Sequence, residues 1–214
     1  MKKIISSVVL GVFLACSSAM VCRAAAPVTF AGLHGGLIVQ LGADMPGEAI
    51  RLAGTGRYVV HVLDADPAQV NKARAALKAS GLYGLAFAEV MTDPGRLPYS
   101  ENVVNGVYVR SSGKVASGEI FRVMTPLGTL KGSREARLDV KLLEKNGFGA
   151  VLAEADGSLQ ARKPWPKNMD TWSHPRHAAD GNAVSLDTAV GPPERVRWVA
   201  AAMAEVEGLS LIHI

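Results

Sequence analysis

Cysteine is nearly absent from the sequence. The chain of 214 residues has only Cys16 and Cys22, both close to its amino terminus. A chain cleaved after Ala24 would have none, so disulfides would not stabilise the processed protein. Aromatic residues are also scarce, at 6%, but hydrophobic residues make up 49% and charged residues 20%. This composition supports a globular core and argues against disorder.

The first residues have the pattern of an export signal. Lys2 and Lys3 give a positive start, residues 4–21 are apolar or small, and small residues occupy the −3 and −1 positions of a cut after Ala24. The apolar stretch is short for a membrane span of about 20 apolar residues. The sequence therefore predicts a signal peptide over residues 1–24, no membrane span after cleavage, and a periplasmic or cell-surface protein. Residues 13–16 also resemble a lipobox, so a lipid anchor at Cys16 is an open alternative.

The excess of positive charge does not survive such a cleavage. The full chain has a formal charge of +4 and a pI of about 9.2. Removal of Lys2, Lys3 and Arg23 would leave 20 basic residues against 19 acidic ones, a charge of +1. A nearly neutral chain gives no reason to expect a nucleic-acid partner.

Strand and helix patterns alternate from Gly32 onward. Four apolar runs are typical of buried parallel strands: 37–41, 58–63, 85–90 and 103–109. Two further runs, 149–154 and 158–162, predict a hairpin that turns at Asp156-Gly157. Between them the sequence predicts helices over 48–53, 67–80, 118–124 and 138–145. This alternation predicts an α/β fold with a mostly parallel sheet covered on both faces.

Local signals mark the ends of two of these elements. Asp66 is a predicted N-cap, Pro67 lies in the first turn of the helix over 67–80, and Gly81 follows the end of that helix. Farther along the chain, Pro126 and Gly128 are expected to make a turn before a short strand.

Five segments occur in an order that matches a known family: 37–44, 62–64, 92–99, 102–107 and 119–128. The last reads Glu-Ile-Phe-Arg-Val-Met-Thr-Pro-Leu-Gly. Together they resemble the class I S-adenosylmethionine-dependent methyltransferases, which have a Rossmann-like fold with a C-terminal hairpin. The resemblance implies such a domain over residues 30–162.

The resemblance also implies a cofactor site if S-adenosylmethionine is bound. Gln40, Gly42 and Ala43 fall in the glycine-rich loop after the first strand. Asp64 falls where an acidic residue of the family binds the ribose hydroxyls, and Asp93 where an aspartate contacts the adenine. No catalytic residue is identified.

The glycine-rich loop departs from the family pattern, which is acidic-x-Gly-x-Gly-x-Gly. Gln40 replaces the leading acid, Asp44 the second glycine and Pro46 the third. Asp44 adds a side chain and a charge where the backbone must approach the ligand, and Pro46 fixes φ and removes an N–H donor. We therefore expect a degenerate, non-catalytic domain without a cofactor. An active methyltransferase that binds S-adenosylmethionine is the alternative.

The segment 163–200 is rich in proline and contains all three tryptophans. It resembles the stretch that leads into a pyrroloquinoline-quinone-type β-propeller in large exported bacterial proteins. This resemblance implies that the chain is a fragment, that the propeller of the full-length protein is its partner, and that the quinone would enter only through that propeller. A fragment of a quinone-dependent dehydrogenase is a further alternative. Residues 208–214 are expected to be a non-native tail.

One group of side chains in this segment has metal-ligand chemistry. His174, His177 and Asp180 are spaced three residues apart, and two imidazoles with a carboxylate can bind zinc or another divalent ion. The alternative is that these side chains hold a loop in place beside Trp172 by hydrogen bonds.

Overall fold

The computed structural model describes residues 28–110 and 115–189. These residues form two compact units, one ending at Lys163 and the other beginning at Pro164. The division lies one residue after the predicted end of the Rossmann domain. The predicted signal peptide, the lipobox cysteine and the predicted non-native tail lie outside the described residues. In the described part of the chain, no helix has both the length and the apolar character that a membrane crossing requires.

The first unit is built on a seven-stranded sheet with the order β3-β2-β1-β4-β5-β7-β6. Its strands are β1 (Gly36–Leu41), β2 (Tyr58–Asp64), β3 (Ala86–Val90), β4 (Val104–Val109), β5 (Met124–Gly132), β6 (Gly149–Ala153) and β7 (Leu159–Arg162). The first five run parallel to one another, and β7 runs antiparallel to both β5 and β6. The structure confirms the predicted α/β fold with a C-terminal hairpin.

Helices cover both faces of the sheet. They are α1 (Gly47–Ala53), α2 (Pro67–Ala79), α3 (Ser117–Val123) and α4 (Val140–Lys145), and a 3-10 turn spans Arg134–Ala136. α1 and α2 bury residues such as Leu52 and Leu77 in the core with Ile38 and Val60. α3 and α4 contribute Ile120 and Leu143 to the core on the other face.

The predicted local signals for α2 are confirmed. The Asp66 side chain accepts a hydrogen bond from the Ala68 amide at 2.8 Å, and Pro67 is the first helical residue. Gly81 follows the helix with a φ of +72°, a conformation that favours glycine. The helix therefore begins and ends where its sequence provides a cap.

The predicted turn at Pro126 and Gly128 is wrong. β5 continues through both residues, and it advances five residues, from Met124 to Thr129, while β4 advances two. Leu127 lies in this bulge with a φ of +62°. A bulge tolerates proline because it leaves residues outside the hydrogen-bonded ladder. The sequence signal for a turn therefore marks an irregularity within a strand.

Candidate functional site

The predicted cofactor residues lie at the carboxyl edge of the sheet. β1 lies between β2 and β4, and the chain order reverses at this position. In open α/β sheets, ligands bind in the crevice at such a switch point, beyond the carboxyl ends of the strands. Gly42, Asp64 and Arg110 each lie at the end of, or just after, one of these three strands.

The Gln40 side chain stabilises the loop after β1 by hydrogen bonds to its backbone. Its side chain is buried, and Nε2 donates to the carbonyl oxygens of Gly42, at 2.8 Å, and Met45, at 3.2 Å. Gly42 has a φ of +110°, so the tight turn after β1 needs a glycine here. The Gln40 Oε1 atom is buried and has no hydrogen-bond partner among the described residues.

The carboxylate of Asp64 is engaged by backbone amides. Oδ2 accepts a hydrogen bond from the Ala43 N–H at 2.7 Å, and Oδ1 accepts one from the Asp66 N–H at 2.9 Å. Asp64 therefore joins the loop after β1 to the start of α2. Both oxygens already serve the protein's own backbone at the position where the family binds ribose.

An ion pair links the loop after β1 to the end of β4. Arg110 Nη2 lies 3.0 Å from the Asp44 carboxylate, and Nη1 donates to the Tyr108 hydroxyl at 3.2 Å. The Met45 sulfur is 2.8 Å from Nη2. The hydrogen bond to Asp44 raises the pKa of Arg110, although its partial burial acts in the opposite direction. The Arg110 Nε–H is buried and has no acceptor among the described residues.

Asp93 is separate from this group. Its side chain is exposed in the loop after β3, and Oδ1 accepts a hydrogen bond from the Gly95 amide at 2.7 Å. Within the described residues, it forms no hydrogen bond to the other four predicted cofactor residues. The structure thus brings together Gln40, Gly42, Ala43 and Asp64, and leaves Asp93 in a local turn.

A second polar group, which the sequence did not reveal, lies on the opposite face of the sheet from Gln40. His61 is buried, its Nδ1 is hydrogen bonded to the Tyr99 hydroxyl, and its ring stacks on Phe87 with 4.3 Å between centroids. The Glu89 carboxylate is 3.5 Å from Nε2. Burial lowers the pKa of His61 despite the nearby carboxylate, which favours the neutral ring.

In the second unit, the three predicted metal ligands do not converge. No group of three histidine, cysteine or acidic side chains among the described residues is arranged to hold a metal ion. His177 Nε2 is instead 2.7 Å from Asp170, and its ring meets Trp172 edge-on at 5.5 Å. His174 is hydrogen bonded to Ser173, and Asp180 accepts from the Asn182 amide.

Asp170 organises this loop. Oδ2 accepts a hydrogen bond from the Leu186 amide at 2.6 Å in addition to its contact with His177, and Oδ1 accepts one from the Thr171 amide at 2.8 Å. These contacts, led by the Leu186 amide, lower the pKa of Asp170. The geometry corresponds to the alternative in which hydrogen-bonding side chains hold a loop beside Trp172.

Comparison with solved structures identifies the fold. The chain matches the [4+2]-cyclase SpnF with a TM-score of 0.52 and 16% identity, over 62% of this chain and 76% of the other. It matches a Methanococcus maripaludis protein assigned as an S-adenosylmethionine-dependent methyltransferase with a TM-score of 0.50 and 15% identity, over 62% and 78%. The fold is that of a class I methyltransferase. No protein-family model and no curated protein matches the chain.

The methyltransferase-like fold explains the position of Arg110 and Asp44, which were not predicted as site residues. Arg110 directly follows the apolar run of β4, and its amide donates to the Leu41 carbonyl at 2.8 Å, so it lies beside the loop after β1. A polar residue at the carboxyl end of a strand next to β1 is the signal that could have identified it. The sequence indicated only that Asp44 replaces a glycine of the family pattern, and it did not predict the ion pair with Arg110.

Proposed function

We propose that this chain is a degenerate, non-catalytic methyltransferase-like module that does not use S-adenosylmethionine. The observation that carries the proposal is the ion pair between Asp44 and Arg110. Asp44 stands where the family has a glycine, and its side chain reaches across the crevice to the end of β4. A cofactor cradle needs bare backbone at this point.

The nearby contacts support the same conclusion. Both oxygens of Asp64 accept hydrogen bonds from the chain itself, and Gln40 donates to loop carbonyls. Pro46 serves as the N-cap of α1, so its backbone is committed to starting a helix. The Asp44 ion pair and the Pro46 N-cap do not fit the cofactor that the fold implies, whereas each Asp64 oxygen keeps a further acceptor site.

Titration of the full chain with S-adenosylmethionine by calorimetry tests this proposal. We expect no binding at micromolar concentration. Micromolar binding that is lost in the Asp64→Ala variant would instead support the alternative of an active methyltransferase. Asp66→Asn is the matched control, because asparagine caps a helix about as well as aspartate and this residue plays no part in the predicted cofactor site.

The fold by itself does not select between these outcomes. One protein of similar fold is described as a cyclase and another as a methyltransferase, and one fold commonly supports several unrelated activities. The proposal therefore depends on the residues of the crevice and not on the fold.

We further propose that the module is exported and that its partner is a β-propeller of a longer chain. The signal pattern of residues 1–24 and the propeller-junction pattern of 163–200 support this context. Expression in a Gram-negative host, followed by mass spectrometry of the periplasmic protein, tests the export. We expect a mature chain beginning at Ala25. A lipidated chain beginning at Cys16 would support the alternative of a lipoprotein, and an uncleaved cytoplasmic chain would contradict export.

A further inference from the structure

Two buried atoms at the crevice have unmet hydrogen-bonding capacity. Gln40 Oε1 is an acceptor without a donor, and Arg110 Nε–H is a donor without an acceptor, within the residues that the structure describes. Buried polar groups in native proteins nearly always find a partner. An unpaired donor and an unpaired acceptor in one region therefore point to a group that the described residues do not supply.

The sheet register places both side chains on the same face. Gln40 is the direct cross-strand partner of Tyr108, and Arg110 follows Tyr108 by two residues. Side chains two residues apart along a strand share a face. Both side chains also contact Met45, Gln40 through the carbonyl oxygen and Arg110 through the sulfur.

The guanidinium group of Arg110 is only partly used by Asp44. A carboxylate can accept two parallel hydrogen bonds from Nε and Nη2 of an arginine. Asp44 engages Nη2 and leaves Nε without an acceptor. The Asp44 side chain is half exposed, with a relative accessibility of 49%, so it can turn away into solvent.

We propose that this crevice binds a small carboxylate that carries a hydrogen-bond donor beside the carboxyl group, such as a hydroxy acid. The ligand's carboxylate takes the place of Asp44 on Nε and Nη2 of Arg110, and its donor pairs with Gln40 Oε1. The inference rests on the proposed function, since it requires the crevice to be free of S-adenosylmethionine. Asp44 is then an internal carboxylate that competes with the ligand.

Titration of the full chain with glycolate and with acetate, followed by NMR or calorimetry, tests this proposal. We expect saturable glycolate binding and severalfold weaker acetate binding, because acetate lacks the donor for Gln40. Asp44→Asn removes the internal competitor and should tighten glycolate binding by about two- to fivefold, the range expected for displacing a surface ion pair. Arg110→Gln should abolish binding.

Arg110→Lys provides a second test in case Arg110→Gln perturbs folding, which circular dichroism would reveal. Lysine keeps the charge but loses the planar pair of donors, so we expect binding to weaken about tenfold. Absence of saturable glycolate binding to Asp44→Asn would overturn the proposal, as water alone would then satisfy the two atoms. Equal affinity for acetate and glycolate, or unchanged binding in Arg110→Gln, would also overturn it.

A parallel titration with S-adenosylmethionine separates the two proposals. Binding of S-adenosylmethionine that glycolate does not displace would defeat the proposed function, and with it the carboxylate site. Absence of binding by both compounds would defeat the carboxylate site alone and leave the non-catalytic module standing.

Discussion

The loop after β1 and the segment 119–128 both align with counterparts in class I methyltransferases, but they differ in what they retain. The segment keeps the family's Glu-x-x-Arg-Val pattern, whereas the loop has lost two of its three glycines. In the segment, Glu119 Oε1 accepts hydrogen bonds from the Leu97 amide, at 2.7 Å, and from Arg122, at 2.6 Å. Arg122 in turn donates to the Tyr99 carbonyl at 3.0 Å.

The contacts of Glu119 and Arg122 join α3 to the loop that follows β3, so the retained pattern maintains the scaffold. The altered loop lies at the crevice, where a ligand would bind. The comparison indicates that the residues retained from the family pattern, such as Glu119 and Arg122, are those that stabilise the fold. Two glycines of the loop have been replaced, by Asp44 and Pro46, although Asp64 keeps the acidic residue at the end of β2. The following predictions test this division.

The largest effect is expected at Lys163, in the scaffold. This buried lysine donates hydrogen bonds to Asn102 Oδ1 and to the carbonyl oxygens of Phe121 and Met124, all within 2.8 Å. Lys163→Met keeps the apolar stem but leaves these acceptors without a donor, which should cost about 2–3 kcal/mol of unfolding free energy. Urea unfolding followed by circular dichroism measures the loss. The exposed Lys72→Met is the control, and an equal loss in both variants would contradict the role of Lys163.

Gly42 is the position where the altered loop still depends on glycine. Its φ of +110° is unfavourable for any residue with a Cβ atom. We expect Gly42→Ala to lower the unfolding free energy by about 1–2 kcal/mol. Gly47→Ala, at the start of α1 just after this loop, is the control, because a Cβ there would meet no atom within 4 Å. If Gly42→Ala were as stable as this control, the loop would be free to adopt another conformation.

The first strands and helices could be predicted from the sequence because each is bounded by a local signal. Glycine or aspartate ends the apolar runs of β1 and β2, and Asp66 with Pro67 starts α2. Every predicted strand lies within one residue of the observed one at each end, apart from the region of β5. There, Pro126 and Gly128 have the local chemistry of a turn, and only pairing with β4 and β7 keeps the chain extended.

The site could be predicted in position but not in its contacts. Its residues lie at the carboxyl ends of strands or just after them, so the order of the sheet places Gln40, Gly42 and Asp64 together. The ion pair of Asp44 with Arg110 joins residues 66 positions apart, and the hydrogen bond of His61 with Tyr99 joins residues 38 apart. No local pattern encodes such pairs, since they depend on which side chains the folded sheet brings into contact. The same applies to His177, whose partner is Asp170 and not a metal.

Acid should weaken the scaffold contact of Glu119. The hydrogen bond from Arg122, together with the Leu97 amide, holds the pKa of Glu119 below its usual range. A lowered carboxyl pKa contributes stability that is present above the unfolded pKa and is lost as the pH falls through the folded pKa. We therefore expect the unfolding free energy of the parent to exceed that of Glu119→Gln by about 1 kcal/mol near neutral pH. This value allows for screening of the ion pair by solvent. The difference should shrink below about pH 4, where the unfolded glutamate becomes protonated. A constant difference across this range would show that the glutamate acts through packing alone.

The smallest effect on stability is expected for the crevice ion pair, and its small size is what permits a ligand to replace it. Because the Asp44 side chain is half exposed, Asp44→Asn should change the unfolding free energy by no more than about 0.5 kcal/mol. Glu48→Gln is the matched control, since Glu48 forms an ion pair with Arg51 on the neighbouring helix α1. Urea unfolding of both variants at low and at high salt measures the two contributions, and screening should reduce both. A loss of several kcal/mol in Asp44→Asn alone would place Asp44 with the scaffold residues, and the crevice could not then open for a ligand without destabilising the fold.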